Sequence, residues 1–200
     1  MLMMSLLLIA TASQDVSELG FRQAIADNAT YHRERFIAAG LTPIEEAAKK
    51  GRNVRRLLVS VWLPGRPPVM EIERQSDGSV TLLLTWQNEP SERHPLEASV
   101  WRDLTALDSA VFATPEYDLS RIGRSPEGSY GCHGDTAAFE ASIEGRVQTA
   151  GASQCLPRME SFDDAKLSAI ALFSRVAIAS RPSCTTDDTR PADALVKCFG

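Results

Sequence analysis

The spacing of apolar residues changes several times along the chain, and each change marks an element. From Asp15 to Ala39, Phe21, Ile25, Ala29, His32, Phe36 and Ala39 recur at helical spacing, and Gly40 supplies a C-terminal stop. Thr42-Pro43-Ile44-Glu45 then places an N-cap hydroxyl, a proline at the first helical position and an early acid in the order a helix start requires, predicting a short helix over Pro43 to Lys50. The period next shortens to that of strands. Arg56 to Leu63 is rich in Val, Leu and Trp, and Pro64-Gly65-Arg66-Pro67-Pro68 is a turn cluster. Val69 to Arg74 alternates apolar and acidic residues as a half-exposed strand does, and after Asp77-Gly78 the segment Ser79 to Gln87 puts Val80, Leu82, Leu84 and Trp86 on one face. These segments predict an antiparallel meander.

A polar loop through Glu89-Pro90-Ser91 leads to Pro95 and a helix whose Leu96, Val100, Trp101, Leu104, Leu107 and Val111 form one stripe, ended by Pro115. Residues 114–131 read as a long excursion. Thr136 to Ile143 and Arg146 to Ser153 read as strands joined at Glu144-Gly145, because glycine accepts the positive φ of a tight hairpin turn. Ser161-Phe162-Asp163-Asp164 opens a last helix that runs to Ser180; between Leu167 and Ala179 its only charge is Arg175, so most of its circumference is expected to be buried. In layers, this order predicts an α+β domain: an antiparallel sheet of about five strands with the helices packed on one face.

The first residues have a different character. Met1 to Ala12 carries no charge, and its apolar run ends in Ala10-Thr11-Ala12, a small-x-small cleavage pattern. We read residues 1–12 as an export signal, although it is short and lacks a positive n-region; the alternative is an N-terminal apolar helix packed on the fold. Polar Thr11, Ser13, Gln14 and Asp15 arrive too early for a membrane span, which needs about 20 apolar residues. The mature chain then begins at Ser13, forms one domain over residues 13–200, and is periplasmic or secreted without stable membrane insertion.

Cysteine usage agrees with that compartment. Cys132, Cys155, Cys184 and Cys198 are widely spaced and form no C-x-x-C pair, so zinc-ribbon and thioredoxin-like readings lack their defining spacing. Two disulfides fit an exported chain. Folding the hairpin brings Cys132 and Cys155 together at its open end, which leaves Cys184 to pair with Cys198 across a short loop. The run Trp101-Arg102-Asp103-Leu104, Phe112-Ala113-Thr114-Pro115, Cys132-His133-Gly134-Asp135-Thr136, Phe139-Glu140 and Cys155 resembles an arrangement in small uncharacterised exported bacterial proteins, a Trp-x-x-Leu helix before a Cys-bounded hairpin. The resemblance covers about a quarter of the chain, implies an envelope or secreted location and carries no catalytic residue.

Composition narrows the functional classes. The 200 residues are 44% apolar and 24% charged, as in an ordinary globular chain. A net charge of −5 and a pI near 5.3 argue against a nucleic-acid partner, which calls for a concentrated positive surface. Five basic residues fall within Lys49 to Arg56, but Lys49 and Lys50 answer the helix dipole and Glu45 and Glu46, so a solvated turn is the favoured reading of the run.

Candidate chemistry centres on His133 and Asp135, which share a face if the segment is extended and could begin a metal site. A third ligand must come from far away in sequence, from His32, Glu34 or His94. The ordinary alternative makes Gly134-Asp135 a turn and His133 a surface side chain, and His32, in an otherwise apolar stripe, a buried histidine bonded to a carbonyl. Asn28-Ala29-Thr30 matches a glycosylation acceptor, yet it lies inside a predicted helix. No G-x-S-x-G, S-x-x-K, H-E-x-x-H, Walker or dinucleotide motif occurs, and no cofactor is implied. The leading reading is a non-enzymatic binding or inhibitor-type module engaging an envelope protein or small ligand; the rival is a metal-dependent hydrolase-like enzyme using His133 and Asp135. Non-reducing peptide mapping of exported protein is expected to return Cys132–Cys155 and Cys184–Cys198 behind an N-terminus at Ser13. Cross-pairing of Cys132 with Cys184 or Cys198 would overturn the hairpin argument.

Overall fold

A computed structural model describes residues 30–60, 67–86, 88–113, 136–153, 164–184 and 190–199. In chain order the elements are α1 (residues 30–38), α2 (Ile44–Lys49), β1 (Asn53–Ser60), β2 (Val69–Arg74), β3 (Val80–Thr85), β4 (Glu92–Leu96), α3 (Ala98–Val111), β5 (Thr136–Ile143), β6 (Arg146–Ser153), α4 (Asp164–Ala179) and α5 (Pro191–Phe199). The strands form one six-stranded sheet in the order β4-β3-β2-β1-β5-β6, antiparallel at every pairing. The chain lays down β1 to β4 as a meander, passes through α3, and returns to add β5 and β6 on the free side of β1, so β1 becomes an interior strand.

Pairing fixes which side chains share a face, because residues directly opposite in a ladder point the same way. One face carries Leu57 and Val59 of β1, Met70 and Ile72 of β2, Val80, Leu82 and Leu84 of β3, and Phe139 of β5. Against it pack Trp101 and Leu104 of α3, Ile170 and Phe173 of α4, and Leu195 of α5, with Leu107 partly buried beside them. The apolar stripe of α3 and the apolar face of β3 thus cover each other as the sequence predicts. Helix α4 buries Ala169, Ile170, Leu172, Phe173, Ser174, Val176 and Ala177 and leaves Arg175 exposed. On the opposite face, Phe36 and Ala39 of α1 and the following Leu41 pack on Leu58, Val69 and Ala138, while Ile44 and Ala47 of α2 meet Val54.

The helices are therefore divided between the two faces, where the sequence reading put them all on one. The physical reason is in β1 and β2: Val54, Leu58 and Val69 lie on the face away from α3 to α5 and need their own cover, which α1 and α2 supply. The sixth strand is β4. Its composition, Glu-Arg-His-Pro-Leu, reads as loop, and proline is admitted only because β4 is an edge strand, with Pro95 opposite Thr81. Leu96, expected on the helical stripe, pairs with Val80 instead, and α3 starts at Ala98. Helix α5 replaces the expected C-terminal loop; Pro191 at its start, Asp193 in its first turn and Lys197 in its last are helix signals. Thr42 does not cap α2: Pro43 occupies the cap, and its carbonyl accepts the N–H groups of Glu46 and Ala47 at 3.0 Å each.

Local turns follow the sequence closely. Gly40 ends α1 with φ of 87°, and Leu41 N–H returns to the Phe36 carbonyl at 3.2 Å. The β5–β6 turn holds Glu144 and Gly145 at φ of 51° and 78°, the left-handed pair that a tight antiparallel hairpin requires. Cys184 and Cys198 are bonded, with Cα atoms 5.6 Å apart, across a sequence separation of 14. Cys132 and Cys155 lie outside the described residues. Among the described residues no helix is long and apolar enough to cross a membrane. Because Leu104 is 2% exposed at the centre of the α3 interface, Leu104→Ala is expected to cost roughly 2–5 kcal/mol in denaturant unfolding. A loss below about 0.5 kcal/mol would place this helix at the surface.

Candidate functional site

The sheet buries charge on both faces. On the α1/α2 face, Arg56 of β1 has β2 on one side and β5 on the other, and its register partners are Glu71 and Glu140. Arg56 Nε donates to Glu71 Oε2 at 2.7 Å, and Nη1 donates to Glu140 Oε2 at 3.2 Å. Glu71 Oε1 accepts from Arg52 Nη2 at 2.8 Å, and Arg52 closes a two-point contact with Glu73, from Nε to Oε1 at 2.7 Å and from Nη2 to Oε2 at 2.9 Å. The result is a continuous chain, Glu140–Arg56–Glu71–Arg52–Glu73, with the Arg56 side chain 0% exposed. The bidentate hydrogen bonds and charge of Arg52 hold the Glu73 carboxyl below its ordinary range despite partial burial.

Its neighbour Arg55 points to the other face. Arg55 Nε donates to Asp108 Oδ1 at 2.8 Å, Nη2 bonds Asp108 Oδ2 and also donates to Thr105 Oγ1 at 3.0 Å, and the guanidinium carbon stands 3.8 Å from the Trp101 ring centroid. Cation–π and charge-assisted contacts thereby pin α3 to β1. Within Lys49 to Arg56, then, Arg55 and Arg56 are buried in the sheet and Arg52 is largely covered, where the sequence reading placed them in a solvated turn. Glu71 and Glu73 are likewise buried on a strand expected to be half-exposed. A usable signal was present: Glu71 and Glu73 alternate with apolar residues on β2, and Arg56 lies directly opposite Glu71 on β1 with Arg52 just before that strand.

The expected candidates separate. His32 is 3% exposed on α1, and its Nδ1 has no hydrogen-bond partner among the described residues. Burial, reinforced by the Arg35 charge, lowers its pKa from 6.5 to about 4, so it is neutral at pH 7. His94 lies opposite Leu82 on the α3–α5 face, across the sheet from α1, so the two histidines share no site. His133 and Asp135 lie outside the described residues, and so does any convergence on them. Among the described residues, no three of His, Cys, Asp and Glu gather in a way that could hold a metal.

His94 does belong to a half-exposed cluster at the β4 edge that sequence reasoning missed. Glu92, one position away on the same face of β4, approaches His94 Nε2 at 3.4 Å through Oε2 and accepts from Arg181 Nη2 at 2.5 Å through Oε1. The Arg181 guanidinium stands 5.7 Å from the Trp86 ring centroid and 4.7 Å from that of Phe199, and the two rings are 6.0 Å apart. Side chains of Arg181, Glu92 and His94 are 35%, 37% and 29% exposed, so the stack remains open to solvent. These residues come from the position after β3, from β4, from the turn after α4 and from α5, which explains why no local motif announces them. Chemically the patch offers aromatic faces, a guanidinium and a carboxylate, the composition of a contact surface. Comparison with models of known protein families and with curated proteins finds no match.

The buried groups set an acid limit. His32 has a folded pKa below its unfolded value, so the unfolded chain binds the extra proton and stability falls as pH drops from 6.5 to about 4, by roughly 3 kcal/mol. Glu73, also lowered, contributes stability above its unfolded value of about 4.5 and loses it as pH falls through the folded value. Urea unfolding across pH 3 to 8 is expected to show both phases, and His32→Leu should abolish only the upper one. An unchanged slope between pH 6.5 and 4 in that variant would contradict the assignment.

Proposed function

We propose that the protein is an exported, non-enzymatic binding module of the cell envelope, and that Trp86, Arg181 and Phe199, flanked by Glu92 and His94, form its contact surface. The apolar leader and the cysteine usage support the location, as does the resemblance to small exported bacterial proteins with a Cys-bounded hairpin. The observation that carries the binding role is the half-exposed arginine within cation–π reach of both a tryptophan and a phenylalanine that adjoin each other. Trp and Arg are enriched among the few residues that dominate the energetics of protein contacts. Here Glu92 pre-orients the guanidinium, which lowers the ordering cost on association. The partner is an envelope protein or a small ligand.

Capture from envelope extract by the oxidised protein, compared across variants, tests this reading. Trp86→Ala and Arg181→Ala are each expected to weaken recovery of a partner at least about thirtyfold, the size of a loss near 2 kcal/mol, with circular dichroism unchanged. Gln148→Ala, on the exposed part of β6, serves as the control and should bind as the parent does. Equal recovery by all four proteins would refute the patch, and stoichiometric zinc or manganese binding lost in His133→Ala/Asp135→Ala would favour the hydrolase reading instead.

A further inference from the structure

The two ends that build the aromatic–arginine stack are joined covalently. The backbone N–H of Cys184 donates to the Arg181 carbonyl at 2.8 Å, so Cys184 sits one tight turn after the stacked arginine. Its disulfide partner, Cys198, directly precedes Phe199, the ring 4.7 Å from that same guanidinium. Helix α5 is seated by Ala194, Leu195 and Val196, all buried, whereas Cys198 and Phe199 are only half-buried. The packing therefore holds the body of α5 most firmly, and its last turn, where a short helix frays first, is held by the partly buried Phe199 against the same core and by the covalent bond.

We propose that the Cys184–Cys198 disulfide is a redox latch: its reduction frees Phe199 from Arg181 and takes the patch apart. A dithiol reductant supplies the chemistry. One thiolate attacks a cystine sulfur to give a mixed disulfide, and its second thiolate resolves that bond, so two electrons and two protons pass to Cys184 and Cys198 and the reductant leaves as its disulfide. Neither cysteine is fully buried, which gives the attacking thiolate an approach. The consequence for partner binding rests on the contact-surface reading above; the latch itself does not.

Hydrogen exchange read by mass spectrometry on the full chain tests the latch. The oxidised protein is compared with the same protein in excess dithiothreitol and with Cys184→Ser/Cys198→Ser, which leaves Cys132 and Cys155 untouched. Amides of Lys197, Cys198 and Phe199 are expected to exchange at least about tenfold faster in both altered forms, while those of Leu57 to Val59 in β1 keep their rates. Unchanged exchange at 197–199 in both forms would overturn the proposal. So would equal acceleration of β1 and 197–199, which would make the bond a general staple. Opening of the last turn without any change in partner capture would leave the latch standing and refute the patch.

Discussion

Burying two consecutive arginines in an interior strand is the constraint on which the rest of this structure depends. Arg55 and Arg56 are adjacent in β1, so they point to opposite faces, and both are almost wholly removed from water. A guanidinium cannot be discharged at ordinary pH, and an unpaired one inside a protein costs several kcal/mol. Each must therefore meet a carboxylate brought by another element. Arg56 finds Glu71 and Glu140, which requires β2 and β5 to flank β1 in one register; Arg55 finds Asp108, which requires α3 to cross the other face at one height. A slip of one residue would exchange the two arginines between faces and strand both charges. The apolar face drives collapse, and the arginines select which collapsed arrangement is acceptable.

Periodic segments and tight turns were legible in the sequence. The meander strands, the β5–β6 hairpin with its Glu144-Gly145 turn and the apolar stripe of α3 all appear because local pattern and tertiary environment agree there. Failures cluster where tertiary contact overrides local signal. Strand β4 is a polar, proline-bearing edge that only β3 makes a strand. The division of helices between faces depends on Val54, Leu58 and Val69, whose orientation is settled by strand register. Arg52, Arg55 and Arg56 read as surface because charge runs usually are; their partners Glu71, Asp108 and Glu140 are 15, 53 and 84 residues from the arginines they bond.

The same logic governs the candidate site. His94 alone is uninformative in sequence, and its setting comes from Glu92 on its own strand, Arg181 after α4, Trp86 after β3 and Phe199 in α5. The ion-pair chain on one face ties β5, β1 and β2 together, and the β2–β3 and β3–β4 ladders extend the sheet to the edge where Glu92 and His94 meet Arg181 and Phe199. Buried charge thus serves architecture, and the half-exposed charge at the β4 edge stays open to solvent. The disulfide at the α4–α5 corner ties the two contributors from outside the sheet.

The Arg56–Glu71 pair is strongly coupled because neither group has water to fall back on. A double-mutant cycle with Arg56→Met, Glu71→Leu and the double variant, read by denaturant unfolding at pH 7, measures that coupling directly. Each single change is expected to cost about 3–5 kcal/mol, by taking from a buried charge its nearest partner, and the double variant to recover at least about 1.5 kcal/mol relative to the sum. Additive losses within about 0.5 kcal/mol would show that the pair is not coupled, and would contradict the view that buried charge fixes this fold.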